Sequence, residues 1–310
     1  MILLTDTGIF TVADDLMMVW SGTATRAAEL AGGFVAIDET GGLTACQGGR
    51  TETHRTGLPL LPTSLLVQQE SPLELLIGTE PPHLFHWSLA GGLVRNESFA
   101  ELPCRSGWHT PWGGPPAVRS LASPDGQAVY ADIHVGSIMR SLDGGSTWAA
   151  VTPTLHEDVH RVAACPSAPH RVYANTARAV YVSDDRGQSW HDRGADLGHA
   201  YGREIAVHPD RPDVLLATVS DGPHGENVHG RLWWSDNAGE SWQPVGGDFP
   251  ATTPDNIDTY HVTFDATGTA WAAVRSVLYR SDDLGQHWTN YRDLGTPIRL
   301  LHAQTTVGGL

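Results

Sequence analysis

Residues Arg140–Trp148 read RSLDGGSTW, an order of residue types that returns as VSDDRGQSW ending at Trp190, WSDNAGESW ending at Trp242 and RSDDLGQHW ending at Trp288. The four tryptophans stand 42, 52 and 46 residues apart. Self-similarity at this period marks a repeat architecture, in which each copy buries its apolar face only against its neighbours. Every copy follows an apolar run and sits at a chain reversal. Asp143, Asp185 and Asp283, with Asn237 in the remaining copy, can accept amide hydrogen bonds there as an Asx-turn. Gly145, Gly187, Gly239 and Gly285 then permit positive φ. The leading Ser adds a local hydrogen bond, and the closing Trp supplies a broad ring to pack between neighbouring sheets.

The unit is clearest from Arg203 to Val245. EIAV is followed by a His-Pro-Asp-Arg-Pro-Asp turn, the run DVLLATVS, a Gly-rich loop, RLWWSD, the turn NAGE and a short SWQPV. Four runs and three reversals predict one four-stranded antiparallel sheet per repeat, the blade of a β-propeller. No convincing helical periodicity competes with this reading.

The pattern S-x-D-x-G-x-[ST]-W, at 141–148, 183–190, 235–242 and 281–288, resembles the Asp-box, or bacterial neuraminidase repeat. It is similar to that of sialidases, sortilin-like receptors, some glucan hydrolases, photosystem assembly factors and many uncharacterised propellers. The resemblance implies an all-β propeller of the sialidase-like superfamily, with Asp-boxes on the face opposite any active site. It implies no single activity, because enzymes and binders share the scaffold.

Blades are predicted at about 117–151, 159–193, 203–246 and 259–292, with another from TSLLVQQ to LVRNESF and a weaker one at 27–58. The runs MILLTD, GIFTVAD and LMMVWSG supply only three strands, and PIRLLHAQ is a lone strand resembling the first of each unit. Letting that C-terminal strand join the N-terminal blade closes a ring of seven and removes two exposed sheet edges. Six blades follow if 27–58 is only an embellishment. The expectation is one propeller domain spanning 1–310.

Composition bounds the function. The formal net charge is −16, and all 19 basic residues are Arg, with no Lys. An acidic surface repels phosphate backbones, so nucleic acid is not an expected partner, and the absence of Lys removes Schiff-base chemistry. Cys46, Cys104 and Cys165 are widely separated with no CxxC, so neither a disulfide framework nor a zinc knuckle is expected. MILLTDTGIF is too short in apolar residues for a signal or a membrane span, so the expected location is cytoplasmic, with no membrane partner.

Strand order orients the ring. With the Asp-boxes at the bottom, the starts of the innermost strands and the second-to-third loops converge on the top mouth of the channel. Aligning these places Asp132, His134, Asp158, His160, Tyr201, Arg203, Tyr260 and His261 there as candidate ligand-binding residues. They suit a small polar or anionic ligand, a glycan, or a partner protein. His134, His160 and His261, with Asp132 or Asp158, also offer imidazole and carboxylate ligands to a divalent transition metal, which makes a metal-dependent enzyme the alternative. Resemblance to sialidases implies a third reading, in which Arg119, Arg203 and Arg299 hold a carboxylate beside Tyr201 or Tyr260, Glu204 and Asp132. The Arg-Ile-Pro segment of that family is absent, since PIRL at 297–300 has another order and place. His208 and His287 read as structural, and whether the mouth is catalytic stays open.

Overall fold

Short apolar runs punctuated by Gly, Pro and Asp pair with their sequence neighbours, because each reversal delivers the next run antiparallel to the last. The computed structural model, which describes residues 1–12, 15–151, 154–199, 201–224 and 227–304, gathers these runs into seven sheets. Blade 1 spans residues 26–55, blade 2 61–95, blade 3 118–150, blade 4 159–192, blade 5 201–244 and blade 6 262–293. Blade 7 is built from both ends of the chain, with Ile298–His302 innermost, followed by Ile2–Thr5, Gly8–Val12 and Leu16–Ser21. Residues 26–55 form four full strands, so the six-bladed alternative falls.

The innermost strands, Arg26–Leu30, Leu61–Glu70, Val118–Ala122, Val159–Ala164, Tyr201–Val207, Val262–Phe264 and Ile298–His302, touch one another in sequence around the axis. Burial falls outward. Second strands such as Val129–Ile133 and Leu215–Ser220 are buried along their whole length, whereas outer strands such as Ala149–Ala150 and His191–Asp192 are exposed. Blade 6 carries one addition, Gly246–Gly247, which lies parallel to His287–Asp293 at its outer edge. Among the described residues no helix is long and apolar enough to cross a membrane.

The Asp-box turns are built alike. The Ser hydroxyl accepts the amide of the turn glycine, at 2.9 Å from Gly145, 2.7 Å from Gly187, 2.9 Å from Gly239 and 3.0 Å from Gly285. It donates in turn to the Asp or Asn two residues on. The carboxylate then accepts the amide four residues ahead, 2.8 Å from Thr147 to Asp143. The Thr147 hydroxyl and amide and the Ser141 hydroxyl hold Asp143 down to about 2. Asn237 preserves the staple by reversing one bond, its Nδ2 donating to Ser241 at 2.8 Å. His287 fills the Ser/Thr position through a 2.7 Å contact between Nδ1 and Asp283, which is the structural part expected of it.

Each Asp-box tryptophan is buried against the preceding blade. Trp148 packs with Leu76 and Phe99, Trp190 with Tyr130 and Ile138, Trp242 with Tyr173 and Val182, and Trp288 with Leu216 and Leu232. The turn that ends one blade therefore glues it to the one before, and burying an aromatic side chain of this size stabilises the interface by roughly 2–3 kcal/mol.

Candidate functional site at the top mouth

Two neighbouring blades bring three side chains together. The second-to-third turn of blade 3 carries His134, and its following residues are tied to blade 4 by Gly136 and Ser137 amides donating to the Glu157 carbonyl at 3.1 and 2.8 Å. That places His134 over Asp158 and His160, which open the inner strand of blade 4. His160 Nε2 lies 3.1 Å from Asp158 Oδ1, and His134 Nε2 lies 3.7 Å from the same oxygen. His160 Nδ1 meets the Gly202 carbonyl of blade 5, and its ring leans on Tyr201 at 4.9 Å between centroids. The Tyr201 hydroxyl stands 3.4 Å from His160 Nε2. Arg203 covers the outer side of Tyr201 and donates to the Pro223 carbonyl at 2.7 Å.

Electrostatics keep this group neutral at its imidazoles. Burial, followed by the nearby Arg119 guanidinium, brings both His134 and His160 down to about 4. Burial pulls the Asp158 carboxyl upward, but its neighbours His160, His134 and the Arg119 guanidinium outweigh it and leave the acid below its ordinary range.

A second constellation lies in the channel itself. Tyr260, reaching in from the start of blade 6 with φ of 70°, sends its hydroxyl to the Arg119 carbonyl of blade 3 at 2.9 Å. Its amide donates to Glu204 of blade 5. Arg161 of blade 4 and Arg26 of blade 1 lie over its ring, 4.3 and 5.4 Å from the centroid. Arg161 pairs with Glu204 at 2.9 Å. Tyr260 thus spans the ring and bars the channel. Burial pushes Glu204 up to about 7 despite Arg161 and two amide donors, and pushes Asp132, bonded to the Ser120 hydroxyl, up to about 6.

Several candidates are corrected by this geometry. His261 does not join His134 and His160. Its Nε2 is engaged by the Ile298 carbonyl at 2.9 Å, because the left-handed turn at Tyr260 aims His261 toward blade 7. Asp132 is likewise absent from that group: it is fully buried within its strand, whereas His134 lies past the strand end at Ile133. Arg299 is exposed and forks onto Asp6, so the arginines around the mouth and channel are Arg119, Arg161, Arg203 and Arg26 instead of the 119, 203, 299 set. Elsewhere, Asp38 caps its own turn through Thr40 and Gly42, and His229 pairs with Asp221 alongside His199 and Arg231.

One residue was missed. Trp112, in the loop TPWGGPP between blades 2 and 3, is 65% exposed and stands edge-on to His134 at 4.8 Å. Its sequence signal is a large aromatic among Gly and Pro, where no blade needs one.

Comparison with known proteins agrees with the architecture. A family model described as sortilin, neurotensin receptor 3 (Sortilin-Vps10), matches residues 136–249. An ancestral GH74 enzyme superposes with a TM-score of 0.64 at 17% identity, over 88% of this chain and 39% of its own. The GH74 xyloglucanase from Xanthomonas campestris gives 0.62 at 17%, over 94% of this chain and 46% of its own. The chain is a seven-bladed β-propeller. The structure of YCF48 bound to D1 peptide matches the propeller with a TM-score of 0.57 at 18% identity, over 86% of this chain and 80% of that one. The propeller spans less than half the length of the two GH74 enzymes, and at these identities the likeness is one of fold. No curated protein matches it in sequence.

Proposed function

We propose that this propeller binds a small polyhydroxylated ligand of the glycan class, neutral or acidic, at its top mouth. The observation that carries the reading is Trp112, a solvent-facing indole seated against His134 beside Asp158 and His160. An exposed aromatic face stacks on the C–H surface of a sugar ring, while imidazole, carboxylate and phenol groups alongside meet its hydroxyls. Arg119 adds a place for a carboxylate, since its buried Nη1 has no hydrogen-bond partner. Fold similarity to the GH74 xyloglucanase supports the ligand class, a glycan being what that enzyme acts on. The likeness to YCF48 bound to D1 peptide favours a second reading, a peptide partner on the same mouth.

The test is calorimetric titration of the metal-free protein with neutral oligosaccharides, uronic-acid oligosaccharides and acidic peptides. Trp112→Ala should weaken glycan binding by about tenfold or more, equivalent to ~1.4 kcal/mol, while His287→Ser on the bottom face leaves it unchanged. Glycan binding that ignores Trp112→Ala removes the reading, and binding of peptides alone replaces it with the second one.

A further inference from the structure

The group at the junction of blades 3 and 4 has a feature that sugar binding does not use. The Gly202 carbonyl is an acceptor only, so the His160 Nδ1 facing it carries the proton, and Nε2 of the neutral ring is left as a lone pair. That lone pair points at Asp158 Oδ1 from 3.1 Å, and Oδ1 is buried without a hydrogen-bond donor. An imidazole nitrogen and a carboxylate oxygen at this separation are held by a positive charge between or upon them, which a proton on Nε2 or a metal ion bound by both supplies. His134 Nε2 approaches the same oxygen at 3.7 Å, and the three donor atoms all fall within 4.8 Å of one another. A tetrahedral centre with ligand bonds of about 2.0–2.2 Å has edges of about 3.3–3.6 Å, a range bracketed by the 3.1 and 3.7 Å separations of Asp158 Oδ1 from the two imidazoles.

We propose that His134, Asp158 and His160 form a three-ligand site for a divalent first-row transition ion of the zinc type. Two imidazoles and one carboxylate select zinc, cobalt or nickel over magnesium and calcium, which prefer all-oxygen shells. The main-chain carbonyl behind His160 is the outer partner that fixes a ligating imidazole in its tautomer and orientation. The Glu157 carbonyl, clamping the amides of Gly136 and Ser137, holds the His134 turn to the segment bearing the other two ligands. His134 and Asp158 are partly exposed, at 14% and 17%, which gives an ion its route in and leaves the fourth coordination position facing the mouth. Three protein ligands and one open position is the arrangement of a reactive zinc centre, in contrast to a closed structural one. The site shares its three side chains with the glycan reading, but neither Trp112 nor any arginine contributes a ligand, so metal retention and sugar binding are lost separately in the variants of each test.

The experiment uses the tag-free full chain, stripped with chelator and shown to be folded, then dialysed against Zn²⁺ alone and titrated with Co²⁺ while visible absorption is recorded. One equivalent of Zn²⁺ should be retained, and Co²⁺ should give the intense bands of a four- or five-coordinate ion. His134→Ala, on a surface turn, should abolish the stoichiometric site without lowering Tm. Asp158→Asn and His160→Gln should each do the same for metal where the variant folds. His229→Ala, in the separate Asp221 group, should change nothing. Folded protein that retains no Zn²⁺, retention that survives His134→Ala and Asp158→Asn, loss caused by His229→Ala, or equal retention of Mg²⁺ would each overturn the proposal.

Discussion

Replacing Gly187 with Val tests the Asp-box staple at its tightest point. Gly187 has φ of +82°, where an L residue costs roughly 1–2 kcal/mol and a β-branched one more. A Cβ there would meet Val151 Cγ1 at 3.2 Å and Trp190 Cζ2 at 3.5 Å, so the two valine methyls must enter the packed seam between blades 3 and 4. Overpacking of that kind costs about 1–3 kcal/mol. Losing the conformational freedom of glycine in the unfolded chain offsets about 0.4–1 kcal/mol. The net expectation is a loss of about 2–4 kcal/mol. With roughly 2.1 cal/mol/K of unfolding entropy per residue, a chain of 310 residues loses about 1.5 °C of Tm per kcal/mol. Differential scanning calorimetry should therefore show a Tm lower by about 3–6 °C, with Gly187→Ala giving roughly half the shift. A Gly187→Val protein that melts within about 1 °C of wild type would refute the argument that turn conformation and the Trp190 seam together hold the blades.

Further outcomes follow from the channel and the ring closure. Arg161→Met should cost about 2–4 kcal/mol in urea unfolding, because it strands the buried Glu204 carboxylate, and adding Glu204→Gln should recover most of that loss. No recovery in the double variant would mean the two are not coupled. Asp132, raised to about 6 from an ordinary value near 4, binds its proton more readily in the folded state. Its contribution is therefore fully present below about pH 4 and is lost as pH rises through about 6, so wild type should lose stability relative to Asp132→Asn across that window; a gain would contradict the assignment. Deleting the chain from Ile298 onward should produce aggregation or a large fall in Tm, since it bares the Ile2–Thr5 edge, and a soluble truncation with an unchanged Tm would disprove the clasp.

Sequence exposed the fold because the Asp-box is a local object. Ser141, Asp143, Gly145 and Thr147 bond one another within eight residues, so their spacing survives translation into geometry without any tertiary knowledge. The lone strand Ile298–His302 was readable for a similar reason, as a first strand with no blade to follow it. Site residues were legible where the inner strand runs regularly from its first residue. Asp158 and His160 lie together at the head of the blade 4 inner strand, whereas His261 turns away from them, because counting positions along a strand fails across the left-handed turn at Tyr260. The same holds in blade 3, where Asp132 and His134 share a side only if the strand continues, and it ends at Ile133 ahead of Val135 at φ 41°. Arg26 stands at the corresponding register of blade 1 and would have come from extending the alignment to every blade. Trp112 has no counterpart in the repeat, so no comparison between copies could reveal it.

Pairing Ile2 with His302 also sets the order in which the molecule can be finished. During synthesis, three strands of blade 7 leave the ribosome before blade 1, yet they gain their innermost neighbour only after blade 6 has emerged. For most of translation they present an unpaired edge of the kind that invites association with other strands. Joining strands about 300 residues apart carries a chain-entropy cost on the order of 5 kcal/mol. A circular permutant that joined the two termini and opened the chain between blades 2 and 3 would let every blade complete itself as it appears, moving that closure from within a sheet to the seam between two finished ones.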